Sequence, residues 1–200
     1  MGWRGYTGWK LRWEPLRLLL SLLLAVPAVL QADDNPAAMS REYEVKAAFL
    51  FNFAKYGEWP AASLQVSPFR FCIAGRPELA GWLSTRLRGQ RIHALAVDVV
   101  DIGDGLSPGC HLLFLSTNVT AERQRALIAE TQQNPILVIG ERDGILDEGA
   151  AVHLFLAEGT VHFDVSLTNL ARQKLQLSSK LLRHADKVYG KNTVDGEGLR

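Results

Sequence analysis

Two short runs with almost no polar interruption set the first limit on the fold. Cys110 to Ser116, CHLLFLS, and Ile136 to Ile139, ILVI, are too short for buried helices and too continuously apolar for strands with one wet face. Such runs belong to strands covered on both sides, as in a largely parallel sheet. Between them Thr120 can cap a helix to about Gln133, with Ala126, Leu127 and Glu130 at helical spacing, and Asn134-Pro135 ends it. Upstream, Phe69 to Ala74, FRFCIA, is a strand ending at Gly75. Pro77 opens a helix to about Leu87, and Arg91 to Ile102 forms the next strand. Strand, helix, strand, repeated, is the order of an α/β sheet with mostly parallel strands.

The stretch Glu44 to Pro60, EVKAAFLFNFAKYGEWP, precedes all of this. At helical spacing Val45, Phe49, Phe53 and Tyr56 share one side and are expected in the core, while Ala47, Leu50, Phe51 and Ala54 spread over much of the rest. A helix apolar over most of its circumference needs two covering layers or a partner. An apolar strip left exposed around Phe51 would mark self-association into a homodimer.

The C-terminal third changes pattern. Val152 to Ala157 and Thr160 to Ser166 flank Glu158-Gly159, a two-residue turn that sets an antiparallel hairpin. That register places His153 opposite Asp164, Phe155 opposite His162 and Leu156 opposite Val161. Val152, Leu154, Leu156, Val161, Phe163 and Val165 then form a core face. His153, Phe155, His162 and Asp164 form the other. Two imidazoles and a carboxylate are metal-ligand types, but an aromatic ring among exposed polar groups fits a partner-contacting face better. Leu167 to Gln173 is a short helix with Thr168 or Asn169 as cap. SSKLLRHADKV, from Ser178 or Ser179, is a last helix that buries Leu181, Leu182, Ala185 and Val188 and stops at Gly190.

Of the 200 residues, the first 32 are expected to be a signal peptide. Arg4, Lys10, Arg12 and Arg17 make a basic start, Leu18 to Val29 an apolar run, and cleavage falls after Ala32, which puts the remainder in the periplasm. Residues 33–42 are a flexible leader with Ser40 as a helix cap, 43–189 one domain, and 190–200 a disordered tail. The expected mature chain holds 18 Lys and Arg against 20 Asp and Glu, a net charge of −2, without the basic stripe of a nucleic-acid binder. An exported pair of cysteines, Cys72 and Cys110, points to a disulfide over two buried thiols, with geometry deciding.

The strand ends at Gly75, Ser116 and Gly140 gather at one edge of a parallel sheet, where α/β proteins bind ligands. A small-molecule binding module using Arg76, Ser116 and Asn118 is therefore one functional reading. No phosphate-binding glycine motif and no nucleophile with a base can be named, so neither a cofactor nor enzymatic activity is expected.

VKAAFLFNFAKYGEWP, FRFCIAG, CHLLFLS and the closing VHFDVSLTNLARQKLQLSSKLLRHADKV together resemble the YfiR-type periplasmic proteins over about residues 43–189. The resemblance implies a three-layer Rossmann-like sandwich without dinucleotide chemistry. It implies a repressor that binds the periplasmic domain of an inner-membrane diguanylate cyclase and lowers cyclic di-GMP output, relieved when an outer-membrane lipoprotein sequesters it. Cys72 and Cys110 match cysteines that the family pairs, whereas Leu146 and His153 stand near a second cysteine pair of its better-known members. Asp164 matches an acidic position and, with Leu170, is implied to belong to the partner surface.

Overall fold

The computed structural model describes Met1 and residues 36–65, 68–103, 105–106 and 108–190. The signal-peptide reading of 1–32 and the tail reading of 191–200 lie outside the described residues. Among the described residues no helix is long and apolar enough to cross a membrane.

Helix α1 (Pro36–Tyr56) is followed by β1 (Gly57–Glu58), a single 3-10 turn (Ser63–Gln65), β2 (Phe69–Ala74), α2 (Pro77–Arg86), β3 (Arg91–Ile92) and β4 (Leu95–Asp101). Then come β5 (Cys110–Leu115), α3 (Ala121–Thr131), β6 (Leu137–Gly140), β7 (Val152–Ala157) and β8 (Thr160–Ser166). Helix α4 (Leu167–Arg172), β9 (Gln176–Leu177), α5 (Ser179–Leu182) and β10 (Lys187–Tyr189) close the chain. Eight strands form one sheet in the order β3-β4-β2-β5-β6-β7-β8-β10, and β1 pairs with β9 in a separate two-stranded ribbon. Strands β4, β2, β5, β6 and β7 run parallel to one another, while β3 and β8 lie antiparallel to β4 and β7 at the two ends of that run. The α/β class and the mostly parallel sheet are those that the apolar runs require.

All of β5 and β6 is buried. Alternate residues therefore feed two cores. Phe69, Phe71, Ile73, Leu112 and Phe114 pack with α1 and α2, while Cys72, Ala74, Leu113, Leu115 and Val138 pack with Leu127 and Ile128 of α3. Pro77 opens α2, and the Thr120 hydroxyl caps α3 by accepting from the Arg123 amide at 3.3 Å. Both starts follow the sequence reading.

Several expected elements differ. Helix α1 begins ahead of Ser40, so the leader is helical from Pro36 and Ser40 is not its cap. Its most buried side chains are Tyr43, Ala47, Leu50, Phe53 and Ala54, with Val45 and Phe49 packed at the margin and Tyr56 exposed. Both flanks of this helix are apolar, and the one with the alanines lets its axis come closest to the sheet. Phe53 then meets Phe163 of β8 edge to face, ring centroids 5.0 Å apart. Phe51 is half-buried against the core, with the Lys55 ammonium 5.9 Å from its ring.

The stretch 91–102 is not one strand. His93 and Ala94 take positive φ (49° and 67°) and fold β3 back antiparallel on β4. The His93 ring, 3.0 Å from the Ala54 carbonyl oxygen, ties that turn to α1. Neither residue is one that usually advertises such a turn. Ser166, not Thr168 or Asn169, caps α4, its hydroxyl accepting from the Asn169 amide. The last helix stops at Leu182 because Lys187–Tyr189 pairs parallel to Asp164–Ser166 and satisfies the open edge of β8. Val188, expected in the core, is exposed on that edge strand, and Leu156 is exposed at the hairpin tip.

Cys72 and Cys110 are bonded, with Cα atoms 5.9 Å apart and a sequence separation of 38. The bond clamps β2 to the start of β5. In the chain-entropy account a loop of that length stabilises by about 4 kcal/mol. Replacing both cysteines by alanine is expected to lower unfolding free energy in urea by about 3 kcal/mol, and wild-type protein under reductant should match the variant. A loss below about 0.5 kcal/mol would contradict this.

His111 in β5 is 2% exposed and lies stacked on Phe69 with centroids 4.6 Å apart. The Arg70 amide donates to Nδ1 at 3.2 Å, so in the neutral ring Nε2 donates to the Ser63 carbonyl oxygen at 3.1 Å. Burial pushes its pKa below 6.5. Between that lowered value and about 6.5 for the unfolded chain, the unfolded chain binds more proton. The contribution of His111 is therefore whole above the window and is lost as the pH falls through it. Urea midpoints should fall on acidification below about pH 6.5 in wild type, and less in His111→Asn; equal slopes would refute the assignment.

Candidate functional site

Strands β7 and β8 keep the register set by the Glu158-Gly159 turn, with His153 opposite Asp164 and Phe155 opposite His162. On the face turned away from α1, these side chains form an aromatic ladder. The Phe155 ring stacks between His153 and His162, with centroid distances of 5.1 and 5.8 Å. The far imidazole is held by Asp186, whose two carboxylate oxygens lie 3.0 Å from His162 Nδ1. His153, Phe155 and His162 are all half-buried. The ladder is thus a partly exposed row of three stacked rings on a backbone fixed by the sheet.

Asp164 stands apart from its neighbours. It lies on the same face but is only 8% exposed, and Oδ1 is buried without a hydrogen-bond partner among the described residues. It opens into a recess of about 460 Å³ bounded by Gly144, Leu146 and Asp147 of the β6–β7 loop, by His153 of β7, by Ser166, Asn169 and Arg172 around α4, and by Tyr189 of β10. Burial of Asp164 was not expected from the hairpin alone. It follows from β10, which lies beside β8 with Lys187 in register with Asp164.

The wall of the recess is built. Asn169, 4% exposed, donates both amide protons, to the Leu146 and Ala150 carbonyl oxygens at 2.7 Å each. Gln173 donates to the Gly149 carbonyl oxygen at 3.1 Å. From the other side Arg142 pairs with Glu148 and donates to Gln124 Oε1. Ile145 is buried directly over Gly140, where a Cβ would fall 2.0 Å from the Ile145 Cδ1. The β6–β7 loop therefore carries exposed Asp143 and Asp147 on an anchored frame.

Leu170 is buried in the main core at 2% exposure, so its side chain is not on the surface that carries Asp164. The strand-end residues come together elsewhere. Strands β4, β2, β5 and β6 are adjacent in that order, so the chain reverses its direction of growth at β2 and β5. Gly75, at φ +77°, leaves no room for a side chain: a Cβ would lie 2.6 Å from Val119 Cγ2 and 2.7 Å from Ser116 Oγ. Asn118 donates to the Gly75 carbonyl oxygen at 3.0 Å, and the buried Ser116 hydroxyl accepts from the Asn118 amide at 3.2 Å. Arg76 lies over the Tyr43 ring and donates to its hydroxyl. Buried Lys46 pairs with Glu42 and with Glu141, whose other oxygen accepts from the Thr117 amide. Side chains of α1 thus occupy this edge, which the sequence reading had taken as open for a ligand.

The molecule so described is a disulfide-clamped α/β domain that presents an aromatic ladder beside a polar recess. It belongs to the YfiR/HmsC-like family, whose model matches residues 43–186. That family is regulatory, periplasmic and engaged in cyclic di-GMP signalling. No individually curated protein matches the chain.

Asn169 carries the wall. Removing its amide strands two buried carbonyl oxygens, so Asn169→Ala should cost about 2–3 kcal/mol in urea unfolding. Amide exchange across residues 144–150 should rise more than in β5. A uniform change, or none, would show that the loop holds itself.

Proposed function

We propose that this protein is a periplasmic negative regulator that binds the periplasmic domain of an inner-membrane diguanylate cyclase and lowers cyclic di-GMP output. The observation that carries the reading is the partly exposed ladder of His153, Phe155 and His162 next to a buried, unpartnered Asp164, on a chain of a regulatory family. A ring held between two others loses little freedom on binding and brings apolar area to the contact centre. Phe155 is the anchor, His162 and Asp164 flank it, and Leu170 acts indirectly by seating α4 in the core.

Binding represses only by favouring an inactive arrangement of the cyclase over the active one. An outer-membrane lipoprotein that competes for the repressor would relieve this by mass action.

Phe155→Ala is expected to raise the Kd for the cyclase's periplasmic domain at least tenfold, about 1.4 kcal/mol, in titration calorimetry. Deleting the protein should raise intracellular cyclic di-GMP. Unchanged cyclic di-GMP, or a wild-type protein that binds no such domain, would overturn the reading.

A further inference from the structure

We propose that the recess over Asp164 receives one cationic side-chain head, the guanidinium of an arginine or the ammonium of a lysine, from the protein partner. The source of the cation rests on the partner-contact reading above; the chemistry of the recess rests on the side chains that line it.

None of the donors close to Asp164 reaches its buried Oδ1. Both amide protons of Asn169 go to the Leu146 and Ala150 carbonyl oxygens. Arg172 Nη1 donates to Asn169 Oδ1 at 3.2 Å. His153 Nε2 makes no hydrogen bond and lies 3.6 Å from Asp143 Oδ1, and Ser166 Oγ, which accepts the Asn169 amide, makes none to Asp164 Oδ1. Lys187 sits in register with Asp164 on the adjacent strand, yet the two form no ion pair within 4.0 Å among the described residues. A carboxylate more than nine-tenths buried is therefore left without a counter-ion, in a chain that elsewhere pairs its buried charge, Lys46, twice. Buried carboxylates are rarely left so.

The recess fits a cation in size and sign. At about 460 Å³ it is far larger than a water site and holds a side-chain head with several waters. Asp147 and Asp164 outnumber Arg172 among its charged lining groups. Tyr189, 47% exposed on the edge strand, adds an aromatic wall, which favours a guanidinium through its ring face. The ladder next to it supplies aromatic contact centred on Phe155. The recess supplies the charge selection.

Two measurements test this. In amide spectra of the purified protein, ethylguanidinium should shift Asp164, Asn169 and Tyr189 resonances, neutral ethylurea should not, and Asp164→Asn should abolish the response. A response to ethylurea of equal size, or one centred elsewhere, overturns the proposal. Against the cyclase's periplasmic domain, Asp164→Asn should raise Kd at least tenfold and flatten its dependence on salt, whereas Phe155→Ala should raise Kd and keep the salt slope. Should Asp164→Asn fold poorly, Tyr189→Ala at the rim serves in its place and should weaken the ethylguanidinium response. Normal binding by a folded Asp164→Asn protein refutes the cation site and leaves the repressor reading intact. If wild type binds no cyclase domain, the repressor reading falls and the ethylguanidinium result alone decides the recess.

Discussion

Strand β5 has no exposed residue, and that burial sets what the rest of the chain must do. A strand paired on both edges and apolar on both faces has to be covered twice. Helices α1 and α2 cover one face and α3 the other, so α1 has to lie close to the sheet along much of its length. Ala47 and Ala54 permit that approach, and the approach in turn buries Lys46. A buried ammonium is tolerated only when paired. Glu42 from the same helix and Glu141 from the end of β6 provide the pairing. The demand for coverage thereby fills the carboxyl edge of the sheet, the place where α/β domains commonly leave a crevice for a ligand.

The covering runs out beyond β6. The β6–β7 connection is a loop anchored by Ile145, Asn169 and Gln173 in place of a crossover helix. After it the strands alternate, with Val152, Leu154 and Phe163 toward α1 and His153, Phe155 and His162 away from it. The face that a further helix would have covered is left for the ladder and the recess, the surface proposed for partner contact. Ladder and recess are therefore a consequence of where helical coverage ends.

How much of this the sequence made legible depended on range. The hairpin register was legible to the residue because a two-residue turn at Glu158-Gly159 fixes pairing locally. Strands β2, β5 and β6, the Pro77 start and the Thr120 cap were legible for the same reason. The end of the chain was not. SSKLLRHADKV has a helical period, but Lys187–Tyr189 meets the unpaired edge of β8, and those backbone hydrogen bonds outweigh the local preference. That one non-local pairing also sinks Asp164, so the recess could not be read from the hairpin. In α1 both flanks carry aromatics, and periodicity alone does not choose between them. The sheet chose the flank with small residues. The turn at His93-Ala94 was hidden because neither residue is glycine, asparagine or aspartate, while the His93 contact with the Ala54 carbonyl oxygen helps hold it.

In the proposed repressor the two parts of this face would have different work. An aromatic ladder rewards nearly any complementary apolar surface, so by itself it would bind active and inactive arrangements of a partner with similar affinity and shift nothing. A carboxylate sunk in a recess is a more demanding contact. It rewards a cation presented at one depth and position and penalises an arrangement that presents none. For that penalty to be felt, the recess must not relax around the wrong partner. The hydrogen bonds of Asn169 and Gln173, the Arg142–Glu148 pair and the sheet backbone beneath Asp164 give it that stiffness. Affinity from the ladder and discrimination from the recess are then separable, and discrimination is the property that repression by a change of population requires.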